Sequence, residues 1–591
     1  MPRRYQALIL PTGCLLSIAG SLALGHERAL GMIPLVIALS LGLVYRPHTE
    51  ASGDPLGTVG PPILFAIALL IGGISCFSYL GSWTGFHFDT AEHWSNVIDG
   101  IRTRHYFGFK SIYRLLPFNP HVYISGLIVE YLGDGLAQYR LLGATECFLM
   151  IPVVFLLFRR LLDRTAAAIA ALFMAGSLWN FTLSKLAHFA VPVPLTAAVT
   201  VGTFLAILSW RRYLSAALLM FITFIIGFNI YDAYRVLFPV LGTMVLAGFI
   251  LERKKRWHLL LVPAALTAAV ALQAIYLDPN FFFRLQQSHL LQQPLDGKVR
   301  MFTGIFFGKL FAGTWDIELS PSQGAIDHPV LVALFLLGLA LAVGNVRQRW
   351  GYILAVWVLI PCSLAVMMEG QWRRVTVMMA AMSGLASLPV TFLIRDLSKA
   401  LRHRPAWQRT ATLAAAMSLI VCAIAANVYR FRQIHAERSG GYYISPQQIQ
   451  AAKWAAKRCP FGNFIVVDYG RWQVWNLVQL WEEGLIGCFV ANENCFDPLY
   501  ALEELRQALS DAVRNRSHPV FVMVSVIPDT VEIRNQLAAL TTRDPPLARQ
   551  VTTPGTSDLY LTYEVGGPLA IPATAPSNAL FTDDHPAQPS L

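Results

Sequence analysis

The strongest constraint on this chain is a succession of about thirteen apolar runs. Most are close to the roughly 20 residues that a helix needs to cross a bilayer core about 30 Å thick. They fall at 7–24, 29–45, 61–81, 140–158, 165–183, 191–209, 213–230, 234–251, 258–276, 329–344, 351–368, 375–394 and 411–429. A lipid-exposed backbone must satisfy its own hydrogen bonds, which leaves helices as the spanning element for runs of this length. The expectation is a mainly α, polytopic membrane protein. A hydrophobic share of 55% against 14% charged residues over 591 positions agrees with this and is far from a soluble composition.

A net charge of +11 would suit a nucleic-acid partner if it formed one patch. Instead the basic residues sit in short clusters between apolar runs, as topology signals, so the partner expected for them is the lipid bilayer and no nucleic acid. With Arg3 and Arg4 inside, alternate connections should be basic. They are: Arg46; Arg159, Arg160 and Arg164; Arg211 and Arg212; Arg253 to Arg256; Arg347 and Arg349; and Arg395, Lys399, Arg402, Arg404 and Arg409. This frame leaves the connection after the third run, the 277–328 loop and everything after 429 outside. The basic start and first run resemble a signal peptide, but a second run follows at once, which favours an uncleaved first helix. Cys14, Cys76, Cys147, Cys362 and Cys422 lie in apolar runs and read as small core residues. Cys459, Cys488 and Cys495 lie in the external tail, where one disulfide of open pairing suits an oxidising compartment.

Directly after the third run comes Gly85-Phe86-His87-Phe88-Asp89-Thr90-Ala91-Glu92-His93-Trp94. Its acids fall at the membrane-water interface, where the head group of a lipid-linked substrate sits. Asp89 and Glu92 share one face if the segment is helical, with His93 beside them and aromatic residues as interfacial anchors. A carboxylate against such an apolar rim can be tuned as a general base. The plain alternative is a helix cap at Asp89 and a solvated Glu92. A metal at Asp89, Glu92 and His93 would lack a full set of ligands, so no cofactor is required and a divalent ion is the less favoured reading.

Further along, basic and aromatic residues interleave through 102–114, and an amphipathic run at 121–132 suits an element lying on the bilayer surface. Arg140 opens the next span, either as a snorkelling flank or as a partner for an anion. Other cations mark the outer ends of later spans: Lys185 in Ser184-Lys185, Arg235 in Tyr231-Asp232-Ala233-Tyr234-Arg235, and Arg373 and Arg374 after Glu369. Several converging on one cavity would make an anion site, although Asp232 could simply pair with Arg235. The 277–328 loop, with Trp315 in Trp315-Asp316-Ile317-Glu318, is long enough to bind a ligand or serve as a lid.

From 445 the composition becomes that of a soluble domain. Strands are expected at Phe464–Val467, 519–525 and 559–565, alternating with helices that include 528–540, and the run 566–591 is rich in Pro, Ala and Ser. The organisation is therefore an extra N-terminal hairpin over 1–60, a transmembrane domain over 61–430 with external loops 83–138 and 277–328, a small C-terminal extracytoplasmic α/β domain over 440–566, and a disordered tail over 567–591. GxxxxGK[ST], HExxH and GxSxG motifs are missing from any fitting context, which argues against ATP-driven transport, metalloprotease and serine-hydrolase chemistry. An inverted repeat with broken helices of the transporter kind is not evident either.

Taken in order, Phe88-Asp89-Thr90-Ala91-Glu92-His93, Tyr139-Arg140-Leu141-Leu142-Gly143-Ala144, Ser184-Lys185 and the 231–235 run resemble the polyprenyl-phosphate-sugar-dependent glycosyltransferases of the C-type fold. The nearest branch is the protein O-mannosyltransferase and aminoarabinose transferase group. The likeness covers roughly 61–430. It implies transfer of a sugar from a polyprenyl-phosphate donor to an acceptor hydroxyl on protein, lipid or glycan, with inversion. It also implies Asp89 as base, Glu92 as second acid or acceptor orienter, and Arg140 as phosphate ligand, with Lys185, Arg235, Arg373 and Arg374 in support and His93, Tyr231 and Trp315 as accessory positions. The family pattern usually has two adjacent acids. Here Thr90 holds the second place and Glu92 follows two later, and Lys185 stands where relatives often have arginine. A lipid-linked-glycan transporter or assembly scaffold, or an inactive relative, is the rival reading. The C-terminus carries no eukaryotic retention signal, which points to a bacterial cytoplasmic membrane.

Overall fold

The computed structural model describes residues 3–25, 29–47, 60–80, 119–133, 136–186, 188–208, 213–251, 328–367, 376–401 and 420–429, and, further on, 464–467, 520–525, 531–542, 548–551 and 560–565, with scattered positions between. The chain divides into two compact units, Met1–Trp83 with Asp99–Gly441, and Thr84–Ile98 with Tyr442–Leu591.

The first unit is helical. Its described helices are α1 (Arg3–Gly25), α2 (Met32–Val44), α3 (Gly60–Phe77), α4 (Pro120–Leu132), α5 (Leu136–Leu161), α6 (Arg164–Gly176), α7 (Leu178–Leu183), α8 (Pro192–Leu208), α9 (Tyr213–Ile230), α10 (Leu237–Leu251), α11 (Pro329–Gly344), α12 (Arg349–Met367), α13 (Met379–Ala400) and α14 (Ile420–Tyr429). Among the described residues, five helices are long and apolar enough to cross a membrane, and the others that match apolar runs are shorter. The run at 258–276 lies largely outside the described residues.

Burial sorts these helices into layers. The apolar window of α13 is 94% buried, whereas that of α3 is 22% buried and turns Ile63, Ile67, Leu70 and Ile74 outward. The bundle centre is thus α6, α11 and α13, with α3 on the lipid-facing rim. At the centre α11 and α13 approach so closely that a Cβ on Gly338 would lie 1.9 Å from the Leu385 carbonyl oxygen. The expected single span at 165–183 is broken: Ser177 is extended (φ −71°, ψ 129°) between α6 and α7, and Asn427 Nδ2 takes the Gly176 carbonyl at 2.9 Å. All of α6 from Thr165 to Gly176 is buried, so the freed backbone groups meet protein and not lipid.

The two ends of the bundle carry different chemistry. At one end Tyr45 donates to Asp396 at 2.7 Å, Asn345 donates to the Tyr45 carbonyl at 3.1 Å, and Arg395 pairs with Asp163. Asp163 also caps α6 through Ala166 N at 2.7 Å. The neighbours of these residues include Arg46, Arg159, Arg160, Arg164, Arg347 and Arg349, so basic connections far apart in sequence gather at one end. At the other end α4 starts at Asn119, whose side chain accepts from His121 N and Val122 N and donates to the Ile230 carbonyl.

In the second unit the described residues form a four-stranded sheet of order β1-β2-β4-β3, with β1 (Phe464–Val467), β2 (Val520–Ser525), β3 (Ala548–Val551) and β4 (Tyr560–Val565). β1 runs parallel to β2, with Ile465 opposite Val522, and the other pairings are antiparallel, with Val522 opposite Tyr563 and Gln550 opposite Tyr563. The helix α15 (Val531–Thr541) packs on β3 and buries Leu537. β3 was not expected. Its sequence, Ala-Arg-Gln-Val, has no strand signal of its own and is held by pairing with β4.

Candidate functional site

The site forms where α3 leaves the bundle. The last four carbonyls of a helix have no helical donor, and at a membrane interface they need one from elsewhere. Ser78 N returns to the Ile74 carbonyl at 3.0 Å. The next two carbonyls, of Ser75 and Cys76, both accept from Lys185 Nζ at 2.7 Å. Arg140 Nη1 donates to the Leu80 carbonyl at 2.8 Å. Between these contacts Tyr79 has φ 59°, the left-handed region that a bulky L-residue rarely adopts.

Both cations are buried, Arg140 at 1% exposure and Lys185 at 0%. Local structure explains how they arrive there. Arg140 lies on the second turn of α5, which packs against α3. Lys185 follows α7, whose separate start at Ser177 lets the chain turn in towards the end of α3. Asn180 supports this turn by donating to the Cys147 carbonyl at 3.5 Å. A Cβ on Gly143, one turn beyond Arg140, would lie 2.8 Å from the Leu186 carbonyl oxygen, so only glycine lets α5 meet the Lys185 turn at this distance. A charged residue at a bilayer centre costs about 2.5–3.5 kcal/mol on insertion scales. A hydrogen bond to a charged group returns about 1.5–3 kcal/mol, so three such bonds at a helix end sustain two buried cations.

Adjoining this cluster, His188 accepts from Ala190 N at Nδ1 (2.8 Å) and meets Tyr231 edge to face at 5.6 Å. Arg235 lies 5.9 Å over the Phe228 ring. The structure therefore brings Arg140 and Lys185 together on the α3 exit and sets Tyr231 against the turn that carries Lys185. Asp89, Glu92, His93, Trp315, Arg373 and Arg374 lie outside the described residues, and for Asp232 only its backbone is described, at the start of the turn Asp232–Val236.

Two polar features were not singled out from the sequence. His121 Nδ1 lies 3.0 Å from Glu146 Oε1, with side-chain exposures of 2% and 12%, joining α4 to α5. Glu146 Oε2 is buried without a hydrogen-bond partner among the described residues. An acid within the apolar run at 140–158 is the signal that would have found it. Tyr79 had no sequence signal, because its backbone state is set by tertiary contacts. At the edge of α4, Arg104 makes a two-pronged contact with Glu130 at 3.0 Å on each arm.

Neither a family model nor a curated protein matches the chain. Solved structures do. The archaeal oligosaccharyltransferase AglB from Archaeoglobus fulgidus, in complex with an inhibitory peptide and a dolichol-phosphate, aligns with a TM-score of 0.55 over 83% of this chain and 72% of that one, at 14% identity. ArnT from Cupriavidus metallidurans bound to undecaprenyl phosphate aligns with a TM-score of 0.53 over 87% of this chain and 100% of that one, at 13% identity. The apo form of that ArnT aligns equally well, at 0.53 over 86% and 98%. At these identities the likeness speaks for architecture: the chain is a mainly helical membrane protein with the C-type glycosyltransferase fold.

Proposed function

We propose that the protein is a membrane glycosyltransferase that moves a sugar from a polyprenyl-phosphate donor to an acceptor hydroxyl on the outer face of a bacterial cytoplasmic membrane. The observation that carries this reading is the pair of buried cations, Arg140 and Lys185, gathered where α3 ends at Phe77, twelve residues before Asp89 in the chain. Buried positive charge at a bundle end suits a lipid phosphate held at the interface. Dolichol-phosphate in the AglB structure and undecaprenyl phosphate in the ArnT structure are ligands of that chemical class on the same fold.

In this reading the acceptor O–H gives its proton to the Asp89 carboxylate while its oxygen bonds to the anomeric carbon. The bond from that carbon to the phosphate oxygen breaks on the opposite face, so the sugar inverts and polyprenyl phosphate leaves. Arg140 meets the charge developing on the phosphate, with Lys185, Arg235, Arg373 or Arg374 in support. Glu92 orients the acceptor or acts as second acid, and His93, Tyr231 and Trp315 are accessory. Proton and charge are both handled by side chains, so the step as written uses no metal. About thirteen spans and an extracytoplasmic α/β domain over 440–566 complete the proposal.

The test is Asp89→Asn in the purified full chain, with transfer measured from a polyprenyl-phosphate sugar. Loss of turnover with unchanged expression and folding supports Asp89 as base; retained turnover removes it from that role. If wild-type protein binds undecaprenyl phosphate but moves no sugar from any such donor, the transporter or scaffold reading takes its place.

A further inference from the structure

We propose that Tyr234 is a positioning residue: its buried hydroxyl, latched between α8 and α9, holds the turn Asp232–Val236 so that Arg235 is presented to the donor's phosphate and Tyr231 to His188. This rests on the glycosyltransferase reading and leaves Arg140 and Lys185 in the phosphate role given them there.

A short 3-10 turn has poor internal hydrogen-bond geometry and takes its orientation from outside contacts. Here α9 ends at Ile230 and Tyr231 is extended (φ −158°, ψ 144°), so the turn leaves the line of the helix. On its near side Asn119 Nδ2 donates to the Ile230 carbonyl at 3.3 Å. On its far side Tyr234 is held at 0% exposure, with Oη 2.7 Å from Thr200 Oγ1 of α8 and 3.2 Å from the Thr223 carbonyl of α9. Thr200 Oγ1 and Thr223 Oγ1 also bond each other at 3.0 Å, so three hydroxyls close one network across two helices and the turn. The surroundings are shaped to the ring: a Cβ on Gly227 would lie 2.5 Å from Tyr234 Cε2 and Cζ, and Phe224 meets the ring edge to face at 5.8 Å. Phenylalanine would fill that space as well; the hydroxyl adds direction. What it directs adjoins it in the chain. Arg235 is half-buried, its guanidinium 5.9 Å over the Phe228 ring, and Tyr231 meets His188, three residues after Lys185, edge to face at 5.6 Å. A shift of about 1 Å in a group that positions substrate can cost up to about 100-fold, so the latch has leverage on the donor.

The experiment uses the full chain, with undecaprenyl phosphate as the probe. Tyr234→Phe keeps the ring against Gly227 and Phe224 and removes only the hydroxyl. Thr200→Val removes the same bond from the α8 side and carries the test if Tyr234→Phe does not fold. Each is expected to raise Kd for undecaprenyl phosphate about 3- to 10-fold. Neither should raise it further once Arg235 is replaced by glutamine, because the latch acts through that side chain. The double variant Tyr234→Phe with Thr200→Val should bind no more weakly than the weaker of the two. A merely structural role would lower the melting temperature and leave Kd of the folded protein unchanged, and that result overturns the proposal. Effects that add to that of Arg235→Gln overturn it too. Arg235→Gln with wild-type Kd takes Arg235 off the phosphate and overturns the proposal, while sugar transfer by the wild type keeps the enzyme reading intact. Wild-type protein that neither binds undecaprenyl phosphate nor transfers sugar removes the reading and the proposal together.

Discussion

Replacing Gly143 by alanine tests how tightly α5 must meet the turn that carries Lys185. The added Cβ would lie 2.8 Å from the Leu186 carbonyl oxygen and 3.3 Å from Val191 Cγ1. Ordinary contact begins near 3.4 Å, so the turn must retreat by about 0.6 Å. It cannot do so cheaply, since Leu186 is 2% exposed and Lys185 fully buried. Overpacking of this kind costs about 1–3 kcal/mol, while alanine regains about 1 kcal/mol of helix propensity over glycine. The net expectation is a loss of up to about 2 kcal/mol of stability. The control is Gly242→Ala in α10, where nothing lies within 4 Å and the propensity gain stands alone. Thermal unfolding in detergent should therefore move in opposite directions for the two variants. Transfer measured well below each melting temperature should fall about tenfold or more for Gly143→Ala, because the retreat pulls Lys185 from the α3 carbonyls, and stay at wild-type level for Gly242→Ala. If Gly143→Ala melts higher and turns over normally, as the control does, the close approach has no bearing on the site.

Three further outcomes are expected. Gly338→Ala drives a Cβ to 1.9 Å from the Leu385 carbonyl oxygen and should destabilise the bundle by about 3 kcal/mol or more, read as a lowered melting temperature. His121→Ala leaves Glu146 without its partner in a buried setting and should cost about 3–5 kcal/mol, whereas the double variant His121→Leu with Glu146→Leu should recover much of that loss in the same assay. Asp163→Ala removes both the α6 cap and the Arg395 partner and should cost about 1–2 kcal/mol, while Asp163→Asn keeps the cap and loses only the ion pair, for about 0–1 kcal/mol.

The helical architecture was legible because lipid leaves a long apolar run little choice, and α5, α9 and α13 sit on runs read from hydropathy alone. Charge alternation was legible too: Arg46, Arg164, Arg349 and Arg395 neighbour the contacts that join Tyr45, Asp163, Asn345 and Asp396 at one end. The break at Ser177 was not, because nothing in Gly-Ser-Leu interrupts hydropathy, and Asn427, about 250 residues later, helps satisfy it. Arg140 and Lys185 could be picked out as cations on the uncharged side of the frame. That they converge on backbone carbonyls at and just past the end of α3 could not, since the acceptors are backbone groups and carry no residue code. β3 escaped for the related reason that its partner strand, not its own composition, makes it a strand.

The N-terminal hairpin has an unusual schedule. Ser17 in α1 bonds the carbonyl of Ala333, 316 residues later, and Gly42 in α2 lies against Ala340 of the same late helix. At synthesis rates of about 5–20 residues per second, the hairpin waits roughly 15 to 60 s before the surface it docks on has been made. Until then the face of α1 and α2 that will meet α11 is uncovered, and chains stopped before residue 328 would display it permanently.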